Sequence, residues 1–168
     1  GLTIFSLTAD LFRFQLSFNH FHKDADRIYS IVQVLPSGST NIRHTARTRA
    51  PLRNLLLKEF AEIEDATRWI PADRVVVRQG TSKFYLEEGT FWFVDPNFLT
   101  FFSFEMLAGD AETALLEPNS VVLTESVARK LFGDVNVLGR KLATGKGLDL
   151  MVKGVTRDVP FNSSLTYD

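Results

Sequence analysis

Three histidines are the first residues whose chemistry could matter, because imidazole binds metal ions and transfers protons near neutral pH. His20 and His22 lie two residues apart, which on a helix directs them about 200° away from each other. Zinc ligands on one helical face need a spacing of four, and His44 lies far along the chain. We therefore interpret the histidines as surface or capping groups, and we predict no metal site and no cofactor. Asp26, four residues after His22, favours a local and purely structural contact.

A glycine-rich stretch at residues 139–147, GRKLATGKG, is superficially similar to a phosphate-binding loop. That loop has four residues between its glycines, and a Ser or Thr after the lysine that reaches magnesium. Here five residues separate Gly139 from Gly145, and Gly147 follows Lys146. The spacing favours a hairpin turn over a nucleotide site.

Other catalytic arrangements find no support in the sequence. No serine lies in the G-x-S-x-G elbow of a hydrolase, and the chain has no cysteine nucleophile. Acidic pairs such as Glu87 and Glu88 are typical of solvated strands and loops, and a catalytic carboxylate would need burial to shift its pKa. We predict no catalytic residue, so the chain is not expected to be an enzyme.

The aromatic side chains provide the remaining candidate site. Residues 91–93 alternate across a predicted strand, so Trp92 could be exposed while its two neighbours are buried. Phe98 and Phe101 belong to a short predicted helix, where packing in the core is the commoner role. An exposed aromatic patch marks a ligand or partner site. We name Trp92, Phe98 and Phe101 as a candidate partner or ligand surface.

The composition is that of a globular protein. The chain has 168 residues, of which 45% are hydrophobic and 23% are charged, enough for one domain or for one domain with an inserted subdomain. The formal net charge is −1 with no basic stripe, which argues against nucleic acid as a partner. The absence of cysteine excludes a disulfide framework and a thiolate metal site.

The N-terminal segment, residues 1–16, is apolar but is interrupted by Asp10 and Arg13. A membrane-spanning helix needs about 20 predominantly apolar residues, so this segment alone is too short to cross a bilayer. Two interpretations stay open, namely an element packed on the core or the trimmed remnant of a spanning helix.

Helices and strands are mixed along the chain, which indicates the α+β class. In residues 17–28 an apolar stripe at helical spacing follows a cap at Ser17 or Asn19. Thr124 and Gly133 are the expected start and end signals of a helix at residues 125–132. A helix at residues 52–60 is expected to bury Leu52, Leu55, Leu56 and Phe60. A strand is predicted at 27–35, and a turn at 36–38 ends it. The other predicted elements are strands at 41–48, 63–70, 75–77, 83–87, 90–94 and 120–123, a helix at 98–102 and a hairpin at 139–155.

Three stretches resemble the MacB-like periplasmic core domain of MacB/FtsX-type ABC transporter permeases. Residues 17–29, SFNHFHKDADRIY, are similar to the S-Y-D-x-F-H-x-x-A-D-R-I-Y segment after the first membrane helix, with Phe18 and Asn19 replacing Tyr and Asp. Residues 94–134 resemble a D-P-N-F-F…L-x-G-D stretch followed by P-x-S-V-V-L-T-E-x-x-A-x-K-x-F-G. Residues 152–168 resemble the V-x-G-V-x-x-D-V-P-x-N-S-x-L ending.

This resemblance implies a domain in the periplasm, carried by a dimeric permease in the bacterial inner membrane. It implies an ABC ATPase subunit in the cytoplasm, membrane contact through flanking helices, and a periplasmic adaptor or a peptide or lipoprotein substrate. It also implies a mixed α/β porter-like portion with an inserted, mostly β, sabre-like portion. We place the core domain at residues 17–168 and the insertion at about 36–93.

Three functional hypotheses follow. The first is a permease domain that couples ATP hydrolysis in the cytoplasm to periplasmic export or mechanotransmission. The second is a periplasmic sensory or ligand-binding domain recognising a peptide or lipid, which a large apolar pocket near Trp92 or residues 98–104 would favour. The third, a periplasmic hydrolase, would require a convergent acid–base site with perturbed carboxylates.

Overall fold

The computed structural model describes residues 22–37, 41–87, 89–145, 147–160 and 163. The N-terminal segment 1–16 and the predicted helix start at Ser17 or Asn19 therefore lie outside the described residues. Of the helix predicted at 17–28, the described end forms a single 3-10 turn at Ala25–Arg27.

The described residues contain both helices and strands, and the α+β class is confirmed. The helices are α1 (Leu52–Glu59), α2 (Phe98–Phe101) and α3 (Glu125–Phe132). The strands are β1 (Gln33–Ser37), β2 (Asn41–Thr45), β3 (Trp69–Pro71), β4 (Val75–Gln79), β5 (Ser82–Leu86), β6 (Trp92–Val94), β7 (Met106–Gly109), β8 (Ser120–Thr124), β9 (Lys141–Thr144) and β10 (Asp149–Thr156).

A six-stranded mixed sheet forms the centre of the molecule, with β10 as its best-connected strand. β9 pairs antiparallel with the first half of β10 and β7 with the second half, while β8 runs parallel to it. β4 joins through β9, and β5 lies outside β4. The β9–β10 pairing confirms the hairpin predicted from the glycine-rich stretch. Val152 and Val155 of β10 are fully buried in the main hydrophobic cluster.

Helix α3 packs on this sheet and has the predicted ends. The Thr124 hydroxyl accepts a hydrogen bond from the backbone N–H of Val127 at 3.4 Å, which satisfies one of the free donors of the first turn. Gly133 ends the helix in the left-handed conformation with φ 76°. Arg129 donates to Glu125 at 3.0 Å, as the spacing of four predicts. Local sequence signals therefore define this helix completely.

Two small antiparallel pairs complete the architecture, β1 with β2 and β3 with β6. Within residues 36–93, β4 and β5 belong to the main sheet, since Val77 pairs with Thr144 of β9. The stretch in which we place the inserted portion is thus continuous with the main sheet. Its boundaries stay a prediction.

Two expectations about the helices and strands are wrong. Helix α1 buries none of its residues, and Leu55 and Phe60 of its expected buried face are 53% and 50% exposed. Among the described residues no other element packs extensively on α1, so its apolar side has nothing to bury it. The strand expected at 27–35 runs later, at Gln33–Ser37, so Pro36 and Ser37 lie within a strand instead of a turn.

Candidate functional site

A second hydrophobic cluster lies around α2 and contains the aromatic residues singled out from the sequence. Its buried members include Phe98 and Phe102, whose rings lie 5.0 Å apart. Phe104 stacks on Phe98 at 5.6 Å. The Asp95-Pro-Asn97 break ends β6 and turns the chain into α2, which directs Phe98 and Phe102 inward at helical spacing. One short segment of chain therefore supplies the aromatic centre of the cluster, and residues from other elements, such as Ile28 and Ala114, pack around it.

The structure brings two of the three candidate site residues together. The ring of Trp92 meets that of Phe98 edge-on at 6.1 Å, and its Nε1 donates to the carbonyl of Gly89. Phe98 is only 3% exposed, so its ring can serve a ligand only from inside the cluster. Phe101 is half-buried beside Phe102 at 5.0 Å. That these residues form a partner or ligand surface stays a prediction.

A cavity of about 420 Å³ lies where the two hydrophobic clusters meet. Trp92 and Phe98 line it and Phe101 does not. Its walls are otherwise mainly leucine and valine, with Val121 and Leu142 contributed by the main sheet. Such a volume falls in the range of about 300–1,000 Å³ typical of small-molecule sites.

Polar groups in the cavity lining are few. The hydroxyl of Ser120 is buried and has no hydrogen-bond partner among the described residues. Glu117 carries the only charge among the described lining residues, and its carboxylate pairs with the ammonium of Lys153 at 2.6 Å. The described lining therefore offers mainly apolar surface, with the polar side chains of Thr90 and Asn119 beside Glu117, and includes no Lys, Arg or His.

His22 is buried, so its interpretation as a surface group is wrong, whereas the capping alternative agrees with its contact to Phe102 at the end of α2. Its ring lies 5.2 Å from that of Phe102 and 5.9 Å from that of Phe104, inside the aromatic cluster. Nδ1 lies 2.6 Å from the backbone oxygen of Phe102, to which the neutral tautomer donates. Burial lowers the pKa of His22, and the hydrogen bond to Phe102 opposes that effect. The side chains of His20 and His44 lie outside the described residues.

Arg68 and Asp95 form a charged clasp that sequence reasoning missed. The guanidinium donates to both carboxylate oxygens of Asp95, at 2.8 and 2.9 Å, and the backbone N–H of Arg68 adds a third bond at 3.1 Å. These bonds hold the pKa of Asp95 below its ordinary value. Arg53 of α1 lies 3.5 Å from the same carboxylate. The clasp joins the segment after α1 to the turn before α2.

Two other aspartates of the recognisable motifs have structural roles. Asp158 accepts from the backbone N–H of Ser126 at 2.8 Å and so supplements the Thr124 cap of α3. Asp110 accepts from the backbone N–H groups of Glu112 and Thr113, at 3.1 and 3.0 Å, which fixes the turn after β7. Both of these motif residues therefore stabilise the scaffold of the domain.

Metal-binding clusters and membrane-spanning helices are both absent from the described part of the chain. No group of three or more His, Cys, Asp and Glu side chains is placed to hold a metal ion there. No helix among these residues is long and apolar enough to cross a membrane.

The family profile described as the MacB-like periplasmic core domain matches residues 2–168. The chain belongs to this family. The chain is thus a MacB-like periplasmic core domain, of a family that occurs in ABC transporter permeases. Domains of this family are typically non-catalytic and periplasmic.

Solved structures support the same fold. A domain assigned to a permease protein from Porphyromonas gingivalis is similar with a TM-score of 0.61 and 26% identity, covering 70% of this chain and 54% of that one. The periplasmic region of MacB from Actinobacillus actinomycetemcomitans shares the fold with a TM-score of 0.51 and 19% identity, covering 63% and 49%. The chain therefore spans about half the length of these structures. No curated protein matches it.

Proposed function

We propose that this MacB-like domain couples cytoplasmic ATP hydrolysis to periplasmic substrate export or to mechanotransmission. The observation that carries the proposal is the family match over residues 2–168. In this account the full-length permease is dimeric, sits in the bacterial inner membrane and binds an ABC ATPase. A periplasmic adaptor, a peptide or a lipoprotein is its periplasmic partner, and the domain itself catalyses no reaction.

The six-stranded sheet supports a role in transmission, because a transmitting body must move without deforming. β10 is hydrogen-bonded to three strands, and Val152 and Val155 are fully buried. Close-packed interiors have low compressibility and pass on strain. We infer that the sheet and α3 move as one body, and that the Arg68–Asp95 clasp carries the segment after α1 with them.

Ligand recognition is the second candidate function, and the 420 Å³ cavity beside Trp92 and Phe98 favours it. The two functions are compatible, since binding in a rigid body could report the presence of a substrate. Trp92, which lines this cavity, would then come from the end of the proposed inserted portion at about residues 36–93.

The test of the principal proposal is biochemical reconstitution. We expect the full-length protein to co-purify with an ABC ATPase and the complex to hydrolyse ATP in a bilayer. The isolated 168-residue chain should give only background ATP hydrolysis, with bovine serum albumin as the blank. ATP hydrolysis by the isolated chain, or a full-length protein that binds no ATPase, would contradict the proposal.

A further inference from the structure

We propose that the exposed apolar face of α1 binds the same face of a second copy of this chain, with the two helices antiparallel. The inference rests on the dimeric permease proposed above and adds to it the surface through which the copies meet. Apolar side chains on the helix, charges at its two ends and the symmetry of a dimer support this contact.

Helix α1 carries an apolar stripe on which no described element packs extensively. Leu52, Leu56 and Phe60 recur every four residues, which places them on one side of the helix, and Leu55 extends that side. No residue of the helix is buried, and Leu55 and Phe60 are about half exposed. A helix of eight residues is marginal in water by itself. A partner that covers the stripe would therefore stabilise the helix.

Charged side chains of opposite sign lie towards the two ends of this segment. Residues 47–58 carry four cationic side chains and no acidic one, whereas residues 59–65 carry four acidic side chains and no cationic one. This order is the reverse of the one that a helix dipole favours, which is acidic groups near the first turn and cationic groups near the last. A partner with the opposite order of charges would therefore complement the segment.

Arg47, Arg49 and Glu62 are the charges available to such a partner. All three are exposed, and none forms an ion pair with another described residue. The other five charged side chains of residues 47–65 already lie in ion pairs, namely Arg53 with Asp65, Lys58 with Glu59, and Glu64 with Arg27. Two cations before the helix and one carboxylate after it thus remain for contacts outside the chain.

A two-fold axis across the middle of α1 would bring these opposite charges together. In a symmetric dimer each contact between two different residues occurs twice, once in each direction. The backbone N–H of Leu52 donates to the carbonyl of Arg49 at 3.0 Å, and that of Ile63 to the carbonyl of Phe60 at 3.2 Å, so tight turns hold Arg49 and Glu62 close to the helix ends. Antiparallel helices then place Arg49 of each copy beside Glu62 of the other, with the leucine stripes between them.

A second copy suits the two ends better than a partner of a single charge sign does. An acidic peptide or an anionic surface would attract Arg47 and Arg49 but would repel Glu62, and a basic partner would have the opposite defect. Like charges that face each other across an interface are unfavourable. An antiparallel copy presents both signs in the reverse order by symmetry.

The contact is expected to be weak in the isolated chain. A helix of eight residues is about 12 Å long, so a pair of such helices cannot bury the area of about 1,200–2,000 Å² that is typical of a stable complex. Copies held within one membrane-embedded permease would meet at a high effective concentration, at which a weak contact suffices.

Sedimentation equilibrium of the 168-residue chain over a range of concentrations measures the contact. We expect a reversible equilibrium between monomer and dimer, which added salt weakens because it screens exposed charges. Leu55→Glu puts a charge in the centre of the apolar stripe and should weaken the dimer at least about tenfold. Tyr85→Glu makes the same kind of change at an exposed position of strand β5 and should leave the equilibrium unchanged. Circular dichroism checks that each variant is folded.

Charge reversal tests the antiparallel arrangement. In a dimer of Arg49→Glu the new carboxylate faces Glu62 at both contacts, and in a dimer of Glu62→Arg the new guanidinium faces Arg49. Each variant alone should therefore dimerise at least about fivefold more weakly than the parent chain does. An equimolar mixture of the two variants restores opposite charges at both contacts, so it should recover the affinity of the parent.

Recovery in the mixture cannot arise from misfolding, since both variants must be folded to bind each other. A chain that stays monomeric at every concentration would overturn the proposal and would mean that another segment or partner covers α1. Self-association that Leu55→Glu leaves intact, or a mixture no tighter than either variant alone, would overturn it as well. Binding of the ATPase is measured separately on the full-length protein, so failure of this contact is distinct from failure of the proposed coupling.

Discussion

At the scale of single residues, local signals could be predicted from the sequence and distant contacts could not. Thr124 and Gly133 cap α3 as expected, because a cap depends on residues within one helical turn. The burial of His22 depends on Phe102, which lies 80 positions further along the chain. Asp95 meets an arginine 27 positions away. No spacing rule connects such partners, since the fold alone brings them together.

The buried His22 should make stability depend on pH. Its folded pKa is lowered, so below the unfolded value of about 6.5 the unfolded chain takes up the proton first. The stability contribution of His22 is therefore present above pH 6.5 and is lost as the pH falls towards the folded pKa. His22→Gln retains an N–H donor for the Phe102 carbonyl but does not titrate.

Urea denaturation at pH 7.5 and pH 5.5 checks this prediction. The parent chain should lose more stability over this interval than His22→Gln does, because all other titrating groups are common to both. Equal losses in the two proteins would mean that His22 is not buried in the neutral form.

Asp95 should matter more to stability than an equally well-paired surface carboxylate. Asp95→Asn should lower the free energy of unfolding by about 1–3 kcal/mol, since hydrogen bonds to a charged group are lost in a half-buried site. Glu105 pairs with Arg157 in the same two-bond geometry at 2.8 Å, but both side chains are more than half exposed. Glu105→Gln is therefore the matched control and should have little effect. Chemical denaturation of both variants at pH 7 makes the comparison, and similar losses would refute the role of burial.

At the scale of elements, β7 and β10 approach each other closely at a pair of glycines. Gly109 pairs with Gly154, and a Cβ added to Gly109 would lie 2.3 Å from the backbone oxygen of Lys153. The neighbouring strand therefore leaves no room for a side chain at this position. Glycine is thus needed at position 109 for β7 to pair with β10.

Gly109→Ala should consequently be far more destabilising than Gly133→Ala. Both glycines have positive φ, at 83° and 76°, so both variants incur about 1–2 kcal/mol of left-handed strain. Only Gly109→Ala adds a collision with backbone, because the Cβ of Gly133→Ala would meet open space. Thermal unfolding of the two variants measures the difference. Equal melting temperatures would show that β7 and β10 are not as close as described.

At the scale of the whole molecule, the sequence predicted the class and the family but not where the apolar surface goes. The motif residues within 94–134 form helix caps, turns and hydrophobic core. Residues of these kinds identify the fold of a domain. The exposure of Leu55 and Phe60 on α1 could not be predicted, because periodicity shows that a helix has an apolar face and not what covers it. For the same reason the sequence named Trp92 and Phe98 without revealing the cavity they share.

We infer that this domain moves as a rigid body during the ATP cycle of a permease. The chain has no cysteine, so introduced cysteines are the only ones within it to carry spin labels. Ser82→Cys on β5 reports the distance between copies in the full-length complex, and Ser82→Cys with Lys130→Cys on α3 reports the interior of one domain. Both positions are exposed.

Double electron–electron resonance measures these distances on the permease reconstituted in a bilayer with its ATPase. Two states are compared, one without nucleotide and one with ATP trapped by a hydrolysis-deficient ATPase. We expect a shifted distance between copies and an unchanged distance within the domain. An unchanged distance between copies, or a shift confined to the interior of the domain, would contradict it.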